Sequence, residues 1–288
     1  MTSDQSYGFS SDSFYPLSDE LFRLIADLIH KNSGLKFDES SKYLIQRRLS
    51  QRIQMLKLDS FQKYYYYLLY DQNREAELDN IFDLITVNET YFFREEKQLK
   101  AFSDEILPEI VNEKEKQSIK SIRVWSAGCS TGEESYTIAM IIDQQKHLKG
   151  WDVDIFASDI SPKTIMKARR GIYTANSFRG VPEEIIKTYF VRENDKYKLV
   201  DSIKNTVTFG KLNIIDERKL VLLGEVDVIF CRNVLIYFDT EAKKKAITNF
   251  YNRLRKNGFL LLGHSESLLG ISTQFKLRHF INDMVYQK

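Results

Sequence analysis

The spacing of hydrophobic residues along the chain changes close to residue 120. Before that point, apolar residues recur every three or four positions, as in amphipathic helices, and no alternating strand pattern occurs. Ser18 and Ser60 are placed to cap two of these helices, and Gly34 is placed to end the first. The apolar stripes of the predicted helices cover 21–29, 45–56, 60–67 and 75–86, and the second helix is expected to start near Ser40 or Ser41. Residues 17–87 are therefore predicted to form a small all-α N-terminal domain, after a Ser-rich tail over 1–16 that we expect to be disordered.

Residues 88–120 are predicted to be a linker and a connecting helix. The helical pattern covers 95–111, and Pro108 is expected to interrupt it near its end because proline lacks the backbone N–H donor. The charged stretch 112–120 that follows is expected to be a solvated connection.

From residue 121 onward, strand-like and helical patterns alternate. Strand candidates are 122–126, 153–158, 206–209, 226–231, 259–262, 275–280 and 284–286. Helical candidates are 133–145, 161–170 and 240–255. This alternation predicts an α/β domain over 121–288 with a doubly wound parallel sheet, and the short connection 281–283 predicts an antiparallel hairpin at one edge. Residues 173–205 break the regularity and are predicted to be a small insertion between the second and third sheet strands.

Composition narrows the possible functions. The chain has 288 residues with 42 basic and 40 acidic side chains, so no global field favours nucleic acid. Cys129 and Cys231 lie far apart without a C-x-x-C motif, and the four histidines are scattered, so neither a disulfide framework nor a metal site is expected. No apolar run of 18 residues and no secretion signal occurs, which indicates a cytoplasmic protein without membrane insertion.

The stretch 122–137 has a strand, a glycine-containing turn and a helix in succession. Such a unit can present backbone N–H groups to a nucleotide-like ligand, but it also occurs as an ordinary connection. Gly128 and Gly132 are four residues apart, so the spacing is not the G-x-G-x-x-G of dinucleotide-binding proteins. No Gly-Lys-Ser/Thr follows, which excludes a phosphate-binding P-loop.

Polar side chains follow the predicted parallel strands, where ligands bind in doubly wound sheets. Asp159 ends the second strand, where an acidic side chain can accept from a ribose hydroxyl pair or cap the next helix. Glu134 lies in the first turn of the helix after Gly132, where it can contact a ligand or simply interact favourably with the helix dipole. Asn213 and Asn233, with Arg232, follow two further strands, and each asparagine can contact a ligand or cap a turn.

The segment NETYFFR, residues 88–94, precedes the sheet. Its two phenylalanines can pack the helical domain onto the sheet. Alternatively, Arg94 beside an aromatic wall can hold a carboxylate with its bidentate fork.

Five motifs in order resemble CheR, the family of chemotaxis receptor glutamate methyltransferases. They are NETYFFR, RVWSAGCSTGEESYTIAM, FASDIS with KARRGIY, FCRNVLIYFD and GFLLLGHSES, within a resemblance that runs from about residue 17 to residue 286. The family implies a helical N-terminal domain and a class I Rossmann-like domain that binds S-adenosyl-L-methionine (SAM). It also implies a small antiparallel β-subdomain inserted at 173–205, and release of S-adenosyl-L-homocysteine (SAH).

The resemblance also implies the site residues, motif by motif. The SAM site would be lined by Asn88, Thr90, Arg94, Glu134, Asp159, Asn213, Ile214, Arg232 and Asn233. Arg94 and Tyr237 would be the catalytic pair, nearest the transferred methyl group and the substrate carboxylate. A glutamate carboxylate is already a nucleophile at neutral pH, so these two side chains are expected to position it and not to move a proton.

The partner implied by the family is the cytoplasmic helical bundle of a chemoreceptor. The helix over 42–57 carries five basic residues with no acidic residue between, so it can dock acidic receptor helices or be only a solvated face. Some family members grip a C-terminal receptor pentapeptide through a glycine-containing loop of the β-subdomain. The corresponding loop here, 192–196, lacks glycine, so this tether is doubtful. The tyrosine run 64–67 is interpreted as packing and not as a platform for stacking nucleic-acid bases, because no basic residues are interleaved with it.

Two other functions compete with this interpretation. One is a SAM- or SAH-binding regulatory module without turnover. The other is a methyltransferase of similar fold that acts on a small carboxylic acid.

Overall fold

The structure of the chain is a computed structural model, which describes residues 14–288. It divides into two compact units: residues up to Asn32 with Phe37–Ile85, and Ser33–Lys36 with Thr86–Lys288. Most of the tail predicted to be disordered falls on residues 1–13, outside the described residues. Within 14–288, no helix has both the length and the apolar character needed to cross a bilayer.

The first unit consists of helices, as its apolar spacing predicts. They are α1 (Asp19–Ser33), α2 (Lys42–Met55), α3 (Phe61–Tyr70) and α4 (Arg74–Ile85). The predicted caps are present: Ser18 Oγ accepts a hydrogen bond from the Leu21 N–H at 3.2 Å, and Ser60 Oγ accepts one from the Lys63 N–H at 3.4 Å.

A buried ion pair ties α2 to α4. The Arg52 guanidinium donates to both oxygens of Glu77, at 2.9 and 2.7 Å, and the Tyr64 hydroxyl donates to Glu77 Oε1 at 2.6 Å. Because Glu77 is only 2% exposed, its charge must be neutralised inside the unit. Arg52 is therefore part of the internal packing of the unit, and Tyr64 is buried, whereas Arg47 and Lys57 on the same basic stretch are exposed.

The connecting helix differs from its prediction at Pro108. It consists of α5 (Glu96–Ala101), a π-helical turn (Phe102–Ile106) and α6 (Leu107–Lys116), so it continues past the proline that was expected to interrupt it. Pro108 lies at the N-terminal end of α6, after the wider turn, where its missing N–H is tolerated. The first part of the segment 112–120, which was expected to be a solvated connection, is helical because α6 continues to Lys116.

The second unit contains a seven-stranded sheet. Its strands are β1 (Ser121–Ala127), β2 (Asp152–Asp159), β6 (Val207–Lys211), β7 (Val226–Cys231), β8 (Leu254–Leu262), β9 (Lys276–His279) and β10 (Met284–Gln287). They lie in the order β6-β2-β1-β7-β8-β10-β9. The first five pair in parallel, and β10 pairs antiparallel with β8 and β9. The predicted α/β fold and its antiparallel edge hairpin are confirmed.

Helices cover both faces of this sheet. They include α7 (Glu133–Asp143), α8 (Pro162–Arg170), α11 (Glu217–Leu220) and α12 (Thr240–Arg253). Side chains of a strand alternate between faces. Accordingly, Val124 of β1 joins the core cluster that contains α6 and α7 residues, while its neighbour Trp125 joins the cluster that contains α12 residues.

The predicted insertion between β2 and β6 is a separate small sheet. It contains β3 (Ile172–Tyr173), β4 (Phe190–Glu193) and β5 (Lys196–Leu199), with helices α9 (Glu183–Tyr189) and α10 (Asp201–Lys204). The strands β4 and β5 are antiparallel, and Glu193 pairs with Lys196 across a two-residue turn. Sequence spacing did not predict β3, which is only two residues long.

The turn between β1 and α7 requires glycine for two reasons. Gly128 has a φ of +81°, and a Cβ atom there would lie 2.5 Å from Val234 Cγ2. Gly150 has a similar φ of +86° but open space around the position of a Cβ atom. A substitution at Gly150 therefore tests backbone strain alone, whereas a substitution at Gly128 tests backbone strain together with steric conflict.

We predict that Gly150→Ala lowers the free energy of unfolding by about 1 kcal/mol, the cost of a left-handed backbone. Gly128→Ala should cost roughly a further 1–3 kcal/mol, because the new methyl group overpacks against Val234. Denaturant unfolding of the full chain measures both. Equal losses in the two variants would show that the turn does not approach Val234 as closely as described.

Candidate functional site

Residues from five chain segments meet at one edge of the sheet. The strands β1, β2, β6 and β7 are parallel, and their registers bring Ala127, Asp159, Lys211 and Cys231 to the same end. The fifth segment, 88–95, is held at this edge by backbone contacts: the N–H of Phe92 donates to the Ser177 carbonyl, and the N–H of Phe93 to Thr137 Oγ1. Ligands bind at this edge in doubly wound sheets.

Three N–H groups of the glycine turn already have acceptors within the protein. The N–H groups of Gly128 and Cys129 both donate to the Ser158 carbonyl, at 2.7 and 2.9 Å. The N–H of Ser130 donates to Asp159 Oδ2 at 2.9 Å, and α7 begins with two glutamates, Glu133 and Glu134. Of the two alternatives that the sequence left open, these three hydrogen bonds favour the ordinary connection, since the donors pair with the end of β2.

Asp159 holds this turn in place. Its Oδ1 accepts from the Ser161 N–H at 2.9 Å, in addition to the Ser130 N–H on Oδ2. The cap of α8 is Ser161 and not Asp159, so capping does not explain the acidic residue. Burial raises the pKa of Asp159, and the N–H donors oppose that shift. The Thr164 side chain and the Ile160 N–H are further donors, so Asp159 ties the glycine turn to the start of α8.

Glu134 and Arg232 form a buried ion cluster with Glu95. The Arg232 guanidinium lies 3.0 Å from Glu95 Oε2 and 3.5 Å from Glu134 Oε2, and it also donates to the Arg94 carbonyl. Glu134 accepts from Ser126 Oγ at 2.8 Å, and burial raises its pKa while the charge of Arg232 opposes the shift. Arg232 thus joins the end of β7 to both α7 and the segment before the sheet.

The segment 88–95 packs within the second unit. The Phe92 ring is 1% exposed and contacts Tyr173, Phe178 and Phe190 of the inserted subdomain, with ring centroids 4.8–5.2 Å apart. Phe92 therefore packs against the inserted subdomain. Asn88 accepts from Ser130 Oγ at 3.3 Å, which places it beside the glycine turn, and Thr90 is half-buried.

Left-handed backbone is concentrated at this edge. Phe93, Glu95, Ser130 and Asn233 all have φ between +49° and +60°, among eight such residues other than glycine in 14–288. Each such residue costs about 1–2 kcal/mol and persists only where the surroundings hold it. Two of them flank Arg94 directly, so its position is imposed by the fold.

Arg94 lies within electrostatic range of Tyr237. Arg94 Nη1 donates to the Glu89 carbonyl at 2.9 Å, and its guanidinium lies 5.7 Å from the centre of the Tyr91 ring. Tyr237 ends a short 3₁₀ turn after β7 and is 37% exposed. Burial raises the pKa of Tyr237, and the charge of Arg94 opposes that shift. The phenol is neutral at physiological pH and can donate a hydrogen bond.

The residues after β6 play mainly structural roles. Asn213 Oδ1 accepts from the Ile215 N–H at 3.1 Å, which is the turn-capping role that the sequence left open. The Ile214 side chain is buried in the core below α12, and its carbonyl accepts from Asn249 at 2.9 Å. The Leu212 N–H donates to the Asp159 carbonyl, so this turn still lies beside β2.

Sequence reasoning missed two glutamates at this edge. Glu95 follows the NETYFFR motif directly and pairs with Arg232. Glu266 lies inside the GHSES motif and accepts from the backbone of Asn233 at 2.8 Å. The available signal was an acidic residue directly after one quoted motif and one inside another, but neither the partner nor the burial of such a residue can be read from spacing.

Negative charge exceeds positive charge at the site. Glu95, Glu134, Asp159 and Glu266 face two guanidinium groups, those of Arg94 and Arg232. Such a surface disfavours phosphate and favours a ligand that carries positive charge and hydroxyl groups. The sulfonium, ammonium and ribose groups of SAM fit this donor and charge pattern.

Comparison with known proteins agrees with this chemistry. The family model of the CheR methyltransferase all-alpha domain matches residues 20–86, and that of the CheR methyltransferase SAM-binding domain matches residues 88–282. Chemotaxis protein methyltransferase 2 of Vibrio cholerae is 38% identical over 274 residues, 94% of each chain. The chemotaxis protein methyltransferase of Borreliella burgdorferi is 37% identical over 257 residues, 88% of this chain and 89% of that protein. That of Escherichia coli is 31% identical over 91% of this chain and 89% of that protein.

These matches cover both units and include the whole carboxyl edge of the sheet. They favour turnover over a regulatory module that only binds SAM. The chain therefore belongs to the CheR methyltransferase family and is a SAM-dependent methyltransferase.

Proposed function

We propose that the chain methylates glutamate side chains on the cytoplasmic helices of a chemoreceptor, giving glutamate methyl esters and SAH in the cytoplasm. The observation that carries this proposal is that the charge of Arg94 acts on the Tyr237 phenol, at the edge where Glu95 and Glu134 form ion pairs with Arg232. A cation and a phenol in the same region suit an incoming carboxylate, while the carboxylates suit a sulfonium ligand. The relatives named above are chemotaxis protein methyltransferases, which supports a receptor substrate.

We propose that the SAM site consists of the residues assembled at the carboxyl edge: Asn88, Thr90, Arg94, Glu134, Asp159, Asn213, Ile214, Arg232 and Asn233. When bound, SAM supplies an electrophilic methyl group on a positively charged sulfur. Asp159 and Glu134 offer acceptors to hydroxyl and ammonium groups. Arg232 holds Glu95 and Glu134 in place through its buried ion pairs, so its role is to position these acids.

Arg94 and Tyr237 position the acceptor carboxylate in this proposal. One N–H of Arg94 is used by the Glu89 carbonyl, which leaves other donors of the guanidinium for a substrate. Tyr237 stays protonated because burial raises its pKa, so it donates and does not remove a proton. No general base is needed, since the glutamate attacks as a carboxylate. Orientation and exclusion of water supply the rate enhancement.

Methyl transfer from radiolabelled SAM to isolated cytoplasmic receptor fragments tests this function. We expect base-labile label on glutamates, as methyl esters require, and a loss of about 10²-fold in kcat/KM for Arg94→Ala. Arg179→Ala is the matched control, because Arg179 also lies over the Tyr91 ring, at 4.2 Å. Base-stable label would mean a nitrogen acceptor and would contradict the proposal.

We further propose that receptor helices dock on exposed basic residues of the helical domain, 17–87, while the chemistry takes place at the carboxyl edge of the sheet. Arg47 and Lys57 are exposed and suit this role, whereas Arg52 is bound to Glu77. Charge reversal at Arg52 would disrupt that internal ion pair, so it does not test docking. The β4–β5 turn has only two residues, which supports recognition without a C-terminal peptide tether.

Arg47→Glu should raise the KM for receptor fragments about fivefold to tenfold, because an exposed charge pair contributes up to about 1 kcal/mol and reversal adds repulsion. The effect should shrink at high salt, while SAM affinity stays unchanged. Lys31→Glu makes the same charge change at an exposed position on α1 and should leave KM unaltered. Equal effects of both variants would point to overall charge and against a docking site.

A further inference from the structure

Glu266 is bound almost entirely by backbone. Its Oε1 accepts from the N–H groups of Val234, Leu235 and Ile236 at 3.0, 2.7 and 3.3 Å. Its Oε2 accepts from the N–H groups of Asn233 and Gly263 at 2.8 and 2.7 Å. A single carboxylate thus satisfies consecutive donors of the turn that follows β7.

Only an ionised carboxylate suits this arrangement. It presents acceptors on both oxygens, whereas a glutamine would turn an NH₂ group toward at least two of the N–H donors. Without the carboxylate, these backbone N–H donors would lose their acceptors. Each unpaired donor that is shielded from water costs free energy. The charge of Glu266 is therefore committed to shaping the turn and is not free to bind a ligand.

This turn ends at Tyr237, which is held from both directions. Upstream, the Tyr237 N–H donates to the Val234 carbonyl, within the part that Glu266 binds. Downstream, the Tyr237 carbonyl accepts from the Lys36 N–H at 2.9 Å, and Phe238 forms a bridge with Leu35. Gly263 permits the close approach, because a Cβ atom there would lie 2.8 Å from the Asn233 backbone nitrogen.

We propose that Glu266 is a positioning residue for methyl transfer, which acts by fixing the turn that places the Tyr237 hydroxyl toward the acceptor carboxylate. This inference rests on the proposed function, in which Tyr237 contacts the acceptor. Glu266 itself touches neither the methyl group nor the substrate.

A double-mutant cycle tests the coupling between the two residues. The kcat for receptor fragments at saturating SAM is measured for Glu266→Gln, for Tyr237→Phe and for the double variant. Each single variant should lose about tenfold to 10²-fold. The double variant should lose little more than the worse single variant, because both changes remove the same interaction. Losses that multiply, or a Glu266→Gln variant with full kcat, would overturn the proposal.

Glu105→Gln is the matched control. Its carboxylate also accepts backbone N–H groups, those of Ile281 at 2.7 Å and Asn282 at 3.1 Å, in the turn between β9 and β10. It should leave kcat unchanged. Should Glu266→Gln fail to fold, Gly263→Ala disturbs the same turn with the carboxylate intact and should show the same dependence on Tyr237.

Amide hydrogen exchange separates this proposal from the proposed function. Glu266→Gln should speed exchange in peptides covering 233–237, and Glu105→Gln only in those covering 281–282. If Glu266→Gln speeds exchange at 233–237 but the wild-type protein methylates no receptor fragment, the proposed function is contradicted. The role of Glu266 in fixing the turn is then still supported. Unchanged exchange at 233–237 would refute the role of Glu266, whatever the substrate.

Discussion

The hydrogen bonds between the glycine turn and the end of β2 hold the site together. The Ser158 carbonyl accepts from two successive N–H groups, and the Asp159 carboxylate accepts from a third. These bonds use three donors of the turn, and carboxylates lie beside it at the edge of the sheet. This charge pattern favours a cationic ligand, which is the charge type of the SAM sulfonium.

A second constraint brings the segment before the sheet to this edge. Arg232, buried at the end of β7, binds the Arg94 carbonyl and the carboxylates of Glu95 and Glu134. Phe92 anchors the same segment in the inserted subdomain. Left-handed backbone at Phe93 and Glu95 is the consequence, and it sets the direction of Arg94. In the proposed function, binding of SAM and orientation of the acceptor therefore both depend on this ion cluster.

Sequence periodicity predicted most of the fold because it reports burial directly. The sheet, its antiparallel hairpin and the helical N-terminal region all follow from it. It did not predict the π turn that carries the helix past Pro108, nor the two-residue strand β3, since neither has a periodic signature. For the site, motifs named the residues, but partners such as Glu95 with Arg232 and Glu266 with the β7 turn lie far apart in sequence. The ion pair between Arg52 and Glu77, which makes Arg52 part of the internal packing, also joins residues far apart in sequence, so spacing did not predict it.

Calorimetric titration of SAM into Asp159→Asn and Asp154→Asn variants tests the central claim most directly. Both residues lie on β2, but Asp159 ends it beside the glycine turn, whereas Asp154 pairs with Arg123 away from that end. Loss of charge-assisted hydrogen bonds should weaken SAM binding by Asp159→Asn about tenfold or more, while Asp154→Asn should bind as the wild type does. A folded Asp159→Asn protein with wild-type SAM affinity would contradict the placement of the SAM site at this edge of the sheet.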